Sequence, residues 1–173
     1  MNARGFTLLE LLITLIILAL LMTIGIPSFA SQIQNTKLKT TTLSLFEAVQ
    51  LTRNKAVFAN ARAVVKNQDS WDEGWEIFMD TNDNGVRDQN ETILQTHEKI
   101  KGIRIISNAP IRNYVSFIGS GESRFIGKTN GGAFQAGTFK VCPTTKGSGY
   151  TLILARSGRL RMDKISAAEC DAS

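Results

Sequence analysis

The chain of 173 residues is short of the side chains from which most active sites are built. It has one histidine, His97, and two cysteines, Cys142 and Cys170, which belong neither to a CxxC pair nor to a Cys/His cluster. We therefore expect no zinc site, no catalytic triad, no cofactor and no enzymatic activity. Gly127-Lys128-Thr129 matches the end of a phosphate-binding loop, but that motif needs a glycine where this chain has Glu122.

Charge is nearly absent from one stretch close to the N-terminus. Residues 8–26 are apolar in about the number that a membrane-spanning helix needs, roughly 20, and Glu10 is their only charge. The run is longer than the apolar part of a secretory signal, roughly 7–15 residues, and no small-residue cleavage site follows it. Arg4 and the free amine precede it, which favours a cytoplasmic N-terminus and an exported remainder.

Two different periodicities divide the rest of the chain. Leu38, Leu45, Phe46, Val49, Ala56 and Val57 recur at helical spacing, which predicts an amphipathic helix to about residue 60. Short β-rich runs then alternate with turn residues, at 61–65, 75–79, 92–96, 103–106, 115–118, 138–141, 150–155 and 160–162. Their connections are too short for helical crossovers, so the strands should be antiparallel. The predicted class is α+β, with one long N-terminal helix packed on antiparallel sheet.

Charge is distributed unevenly beyond the helix. Residues 67–95 hold eight acids and one arginine, whereas residues 96–173 hold twelve lysines and arginines and five acids. The later part is a candidate surface for a polyanion, although most charge runs are solvated faces. Two cysteines late in an exported chain are typical of one disulfide, between Cys142 and Cys170, with two free thiols as the alternative.

The opening residues, Gly5-Phe6-Thr7-Leu8-Leu9-Glu10, resemble the signal of type IV pilins and of the related type II secretion pseudopilins. The resemblance implies that a prepilin peptidase cleaves after Gly5 and methylates the new amine of Phe6. It implies a leader at 1–5, a transmembrane helix half at 6–27, and an exported pilin domain at 28–173 that includes the second helix half. Glu10 falls where the family has its assembly glutamate. A carboxylate in hydrocarbon needs a partner, and a neighbouring subunit's amine would supply one.

Three later strings resemble the GspH/FimT group of minor pilins: GWEIFMDTNDNGVRDQNETILQTH, VSFIGSGESRFIG and SGRLR. Members that act in DNA uptake have a C-terminal Gly-Arg-x-Arg, which here is Gly158-Arg159-Leu160-Arg161. This implies a type IV pilus subunit for natural transformation, with double-stranded DNA, other pilins and the prepilin peptidase as partners. It would start in the inner membrane and reach the periplasm and the cell-surface pilus. The alternative is a GspH-type pseudopilin of type II secretion, with a structural role and protein partners.

The arginines have a chemistry of their own. Arg159 and Arg161 are two apart in a predicted strand and share a face, and Arg156 lies just before the turn glycine. Guanidinium groups bind phosphates in bidentate fashion, and such binding is insensitive to sequence and sensitive to salt. The expected DNA-binding set is completed by three lysines, Lys140, Lys146 and Lys164. An ordinary solvated hairpin is the alternative.

Residues 80–91 fit the spacing of a twelve-residue calcium loop. The ligands would be Asp80, Asn82, Asn84, Asp88 and Glu91. Strands rather than helices are expected on both sides, and Asn84-Gly85 is a frequent hairpin turn. We therefore favour no metal, and a calcium-dependent adhesin is only a third possibility.

Overall fold

The computed structural model describes residues 7–127 and 132–172, and for residues 24–28 and 30 it describes the backbone alone. Contacts divide the chain into two compact units, Met1–Lys37 and Leu38–Ser173. Helix α1 runs over Leu8–Ala59, so it begins in the first unit and ends in the second. It continues through Pro27, in agreement with the single long N-terminal helix that the sequence predicts.

The first unit contains the early part of α1. Within the described residues, no helix combines the length and the hydropathy that crossing a membrane requires. The predicted membrane-spanning half, 6–27, includes residue 6 and the side chains of 24–27, which lie outside what is described. The span therefore stays a prediction.

The second unit has two antiparallel sheets of four strands each. The first sheet has the order β3-β2-β1-β5, with β1 at Ala63–Asn67, β2 at Trp75–Met79, β3 at Ile93–His97 and β5 at Tyr114–Phe117. The second has the order β4-β6-β7-β8, with β4 at Ile103–Ser107, β6 at Gly137–Pro143, β7 at Gly149–Leu154 and β8 at Leu160–Ile165. The α+β class with antiparallel strands is confirmed. A 3-10 helix at Ala109–Ile111 and a short helix α2 at Ala167–Asp171 were not predicted.

One hydrophobic core joins the helix to both sheets. Leu45 and Val49 of α1 are fully buried against the inner residues of the sheets, such as Ile77, Phe139 and Leu152. The predicted apolar stripe is thus correct in its centre. It is wrong at its end, because Val57 is 49% exposed whereas Ala56, one residue earlier, is fully buried.

Candidate nucleic-acid interface

A tight turn joins β7 to β8 at one end of the second sheet. The amide of Ala155 donates to the carbonyl of Arg159 over 2.9 Å, and the amide of Gly158 donates to the carbonyl of Ala155 over 2.9 Å. Gly158 has φ of +77°. The loop is therefore of the three-residue hairpin type that ends in a left-handed glycine. We call residues 156–161 the arginine turn.

The turn is seated on residues 119–123, which we call the glycine loop. The amide of Ser123 donates to the carbonyl of Arg156 over 3.2 Å. A Cβ atom at Gly158 would lie 2.1 Å from the carbonyl oxygen of Gly121, closer than any side chain can approach. Glycine is thus required at position 158 by its backbone conformation and by its neighbour alike.

Strand alternation sorts the side chains of β8 onto two faces. Leu160 lies opposite Leu154, and both are buried in the core. Arg161 lies opposite Ile153 on the outer face, where Arg159 is also exposed. The predicted common face of the two arginines is therefore present in the structure.

The two guanidinium-bearing side chains flank a shallow depression of about 260 Å³. Its lining is formed by Ile153, Ala155, Arg159 and Arg161. The Arg161 side chain is 63% exposed, so water screens the charge at the rim. Two cationic side chains beside an apolar floor are an arrangement that an anionic group can approach from solvent.

An acid that we had not included lies on the same face. Nε of Arg161 forms an ion pair of 2.9 Å with Oδ2 of Asp163. Asp163 follows Arg161 by two residues, so strand alternation alone indicates their contact. The DNA-binding set expected from the sequence contains no acid, so it missed this contact. Part of the positive charge of Arg161 is thus already compensated.

The three predicted lysines do not gather around the turn. Lys140 lies on the outer face of β6, and its Nζ donates to the carbonyl of Glu169 over 3.1 Å. Lys146 lies in the connection from β6 to β7, at the opposite end of β7 from the arginine turn. Lys164 alternates with Asp163 and therefore lies on the other face of β8. The expectation that Lys146 and Lys164 extend the patch is wrong, because strand direction and alternation separate them from it.

A disulfide fixes the segment that follows β8. Cys142 of β6 is joined to Cys170 of α2, with 5.8 Å between their Cα atoms, as the sequence predicted. Nη2 of Arg104 donates to the carbonyl of Cys170 over 2.8 Å. Ser166 and Glu169 form a capping box at the start of α2, and the hydrogen bonds from Ser166 lower the pKa of the Glu169 carboxyl. The segment that follows β8 is therefore held against the second sheet.

The acidic loop between β2 and β3 is closed by its own hydrogen bonds. Asp80 is 1% exposed and accepts from the amides of Asn84 and Gly85 over 3.0 and 2.9 Å. Burial raises the pKa of the Asp80 carboxyl. The two hydrogen bonds lower this pKa, and the negative charge of Glu91 raises it further. Glu91 accepts from the amide of Thr81 over 2.7 Å.

The other predicted calcium ligands bond to one another. Nδ2 of Asn82 and Nδ2 of Asn84 donate to Oδ2 of Asp88 over 2.7 and 2.9 Å. Asp83, which is no calcium ligand, pairs with the buried Arg62 over 2.6 Å. Across residues 7–127 and 132–172, no three or more His, Cys, Asp or Glu side chains converge to hold a metal ion. The side-chain amides of Asn82 and Asn84 thus point their N–H donors at the Asp88 carboxylate. This is the arrangement of a hairpin loop that satisfies its own hydrogen bonds.

Near the N-terminus, Glu10 completes a capping box with Thr7. The amide and Oγ1 of Thr7 donate to Oε2 of Glu10 over 3.1 and 3.0 Å, and the amide of Glu10 donates to Oγ1 of Thr7 over 3.2 Å. This local partner was not predicted. Gly5 and Phe6, the predicted processing residues, lie outside the described residues.

The sequence of the chain matches two known family profiles. The profile described as type II transport protein GspH matches residues 41–158, which include both sheets up to the arginine turn. The profile described as prokaryotic N-terminal methylation motif matches residues 1–26. No curated protein matches the chain significantly.

Solved structures of two filament proteins share the fold. The type IV minor pilin FimU of Pseudomonas aeruginosa has a TM-score of 0.55 at 18% identity, over 75% of this chain and 90% of that one. The minor pseudopilin EpsH of the type 2 secretion system of Vibrio cholerae has a TM-score of 0.53 at 16% identity, over 73% and 96%. At such identities the likeness concerns the fold alone.

Proposed function

The chain belongs to the family of type II transport protein GspH, and its fold is that of type IV minor pilins and pseudopilins; from this premise we propose that it is a DNA-binding minor pilin. In this proposal it is a subunit of a type IV pilus and binds double-stranded DNA without sequence preference through the arginine turn. It thereby supports DNA uptake in natural transformation. Its role is structural and ligand-binding, with no catalytic step.

The observation that carries the proposal is the pair of outward arginine side chains where the arginine turn leads into β8. Arg159 and Arg161 are about 6.6 Å apart along the strand and flank an apolar floor at the end of the sheet. Arg156 is exposed in the same turn. Guanidinium groups that reach a polyanion from one rigid edge can bind successive phosphates, and no described aromatic side chain lines the depression to read a base.

The experiment is a salt titration of duplex binding. The full chain, in non-ionic detergent micelles, is titrated into labelled duplexes of unrelated sequence, and binding is followed by fluorescence anisotropy at increasing salt. We expect equal affinities for all sequences and a linear fall of log K with log salt. Arg159→Gln and Arg161→Gln should each lower the slope by about 0.9.

Two lysines give matched controls for the loss of one charge. Lys146→Gln and Lys164→Gln change the net charge equally, but the residues lie at the far end of β7 and on the opposite face of β8. Both variants should bind as the wild type does. Equal losses in all four variants would indicate a diffuse charge effect and contradict the assignment to the arginine turn.

The second candidate function is that of a pseudopilin in type II secretion. The match to the GspH profile and the likeness to EpsH favour it as much as they favour a pilin. Its partners would be exported proteins and other pseudopilins. Failure of the wild type to bind duplex DNA, together with a gene neighbourhood of secretion rather than pilus and competence genes, would decide for it.

For the N-terminus we propose the processing that the methylation motif implies. The prepilin peptidase cleaves after Gly5 and methylates Phe6, residues 6–27 anchor the chain in the inner membrane, and residues 28–173 are exported. Intact-mass measurement of the mature chain tests cleavage and methylation. In the filament, Glu10 pairs with the amine of a neighbouring subunit, so Glu10→Gln should be processed normally but incorporated poorly.

A further inference from the structure

Arg53 of α1 reaches the base of the arginine turn from the helix. Its Nε donates to the carbonyl of Gly121 over 2.9 Å, and its Nη2 donates to the carbonyl of Ser157 over 3.4 Å. The Cβ position of Gly158 is only 2.8 Å from the same Nε, so the guanidinium lies directly under the turn. One side chain thus bonds to the glycine loop and to the arginine turn.

From these contacts we propose that Arg53 is a positioning residue for DNA binding, an inference that rests on the proposed function. A planar guanidinium offers several donors in a fixed fork, which lets it hold two carbonyls from separate segments at once. The partners of Arg53 are 68 and 104 residues away in the chain. The fork therefore fixes the arginine turn relative to α1, which is the longest element of the core.

The contacts at the turn distinguish Arg53 from an ordinary helix-surface arginine. Its two acceptors are neutral carbonyls, and the ion pairs found in the described residues do not include it. A second contact holds the arginine turn against the glycine loop, because the amide of Ser123 donates to the carbonyl of Arg156. Without the fork, the turn would keep its hydrogen bond to the glycine loop but lose its attachment to α1, and it would sample other positions. Binding would then include the entropy cost of ordering the turn again.

If Arg53 acts by holding two carbonyls, the shape of its side chain matters. If it acts by its charge alone, any cationic side chain would serve. Lysine keeps the positive charge but cannot form the planar fork. Arg53→Lys and Arg53→Gln should therefore both weaken duplex binding, by about tenfold for one lost bond to a charged group. The salt slope should stay that of the wild type, since no phosphate contact is removed. Arg159→Gln, by contrast, should lower that slope.

Lys55 provides the matched control on the same helix. It is exposed two residues beyond Arg53, so Lys55→Gln removes an equal charge without touching the turn. We expect wild-type binding for this variant. Hydrogen exchange of the full chain in detergent provides a second measurement. The amides of Gly158 and Ser123 should exchange faster in both Arg53 variants than in the wild type. In Lys55→Gln they should exchange at the wild-type rate. This effect does not depend on DNA.

Three outcomes separate the possibilities. If Arg53→Lys binds DNA as tightly as the wild type, or Arg53→Gln loses no more than Lys55→Gln, the positioning role is refuted while the proposed function stands. If the Arg53 variants melt at lower temperature but keep their affinity, the residue serves stability only and the inference is again refuted. If the wild type itself does not bind duplex DNA, the proposed function fails and the inference fails with it, whatever hydrogen exchange shows about the contacts of Arg53.

Discussion

Arg161 and Asp163 form an ion pair on the outer face of β8, with 2.9 Å between Nε and Oδ2. Their side chains are 63% and 46% exposed, so water screens the pair and its contribution to stability is small, about 0–1 kcal/mol. The pair matters more for the binding of an anionic ligand than for stability. A phosphate that approaches Arg161 must compete with a carboxylate that is already in place.

We therefore predict that Asp163→Asn strengthens duplex binding. The expected gain is up to about fivefold at low salt, with little change in the melting temperature, because the exposed pair is worth at most about 1 kcal/mol. Anisotropy titration of the full chain measures it. Glu98→Gln removes an exposed acid beyond β3 and should leave the affinity unchanged. Weaker binding in Asp163→Asn would mean that the carboxylate orients Arg161 rather than competing for it.

A pair of glycine variants separates backbone strain from close contact at the turn. Gly158 and Gly102 both have φ of +77°, but a Cβ atom at Gly102 would meet nothing within 4 Å. Gly102→Ala should cost about 1–2 kcal/mol, the strain of a left-handed alanine. Gly158→Ala should cost a further 1–3 kcal/mol or so, because the turn must move away from Gly121. Chemical denaturation gives both values, and equal losses would contradict the contact.

Removing the disulfide should destabilise the second unit. The chain-entropy model gives about 3–4 kcal/mol for a loop with a sequence separation of 28 residues. We expect the Cys142→Ser/Cys170→Ser double variant to lose about this much free energy of unfolding. Reducing agent should produce the same loss in the wild type and none in the double variant. A wild type that is indifferent to reduction would show that α2 is held by its other contacts.

The pH dependence of unfolding should reveal Asp80. Burial raises the pKa of this carboxyl in the folded protein, so its ionised form disfavours folding. The penalty is fully present above the raised pKa and disappears as pH falls below the ordinary range of aspartate. The free energy of unfolding of the wild type relative to Asp80→Asn should therefore rise as pH falls through this window. Denaturation curves at several pH values test this, and a difference between the two proteins that stays constant with pH would contradict it.

Much of the fold could be predicted because its signals are local. The helix, the strands and the shared face of Arg159 and Arg161 all follow from spacing along a few residues. The same alternation also predicts that Asp163 joins this face and that Lys164 leaves it, so these two errors came from applying the rule to too short a segment. Helix α2 likewise had a signal in Ser166 and Glu169, the capping box before it.

The contacts of Arg53 could not be predicted in the same way. They depend on the rotation of α1 against the sheets, which brings one helix position under a loop 68 residues later and a turn 104 residues later. Helical spacing places Arg53 at the edge of the apolar stripe, four residues after Val49 and three before Ala56, but gives no hint of its partners. The exposure of Val57 has the same origin, since spacing places it on one edge of the stripe and only the tertiary fold shows which edge is covered.

The close approach of Gly158 to Gly121 also bears on how related chains are recognised. In the string Gly-Arg-x-Arg, the glycine is required by the backbone conformation of the turn and by the closeness of the loop beneath it, whatever the turn binds. A relative that kept the glycine and replaced both arginines would preserve the shape of the hairpin and lose its charge. If the proposed function holds, only the second and fourth letters of the motif carry information about DNA, and a search for DNA-binding relatives should weigh those two letters alone.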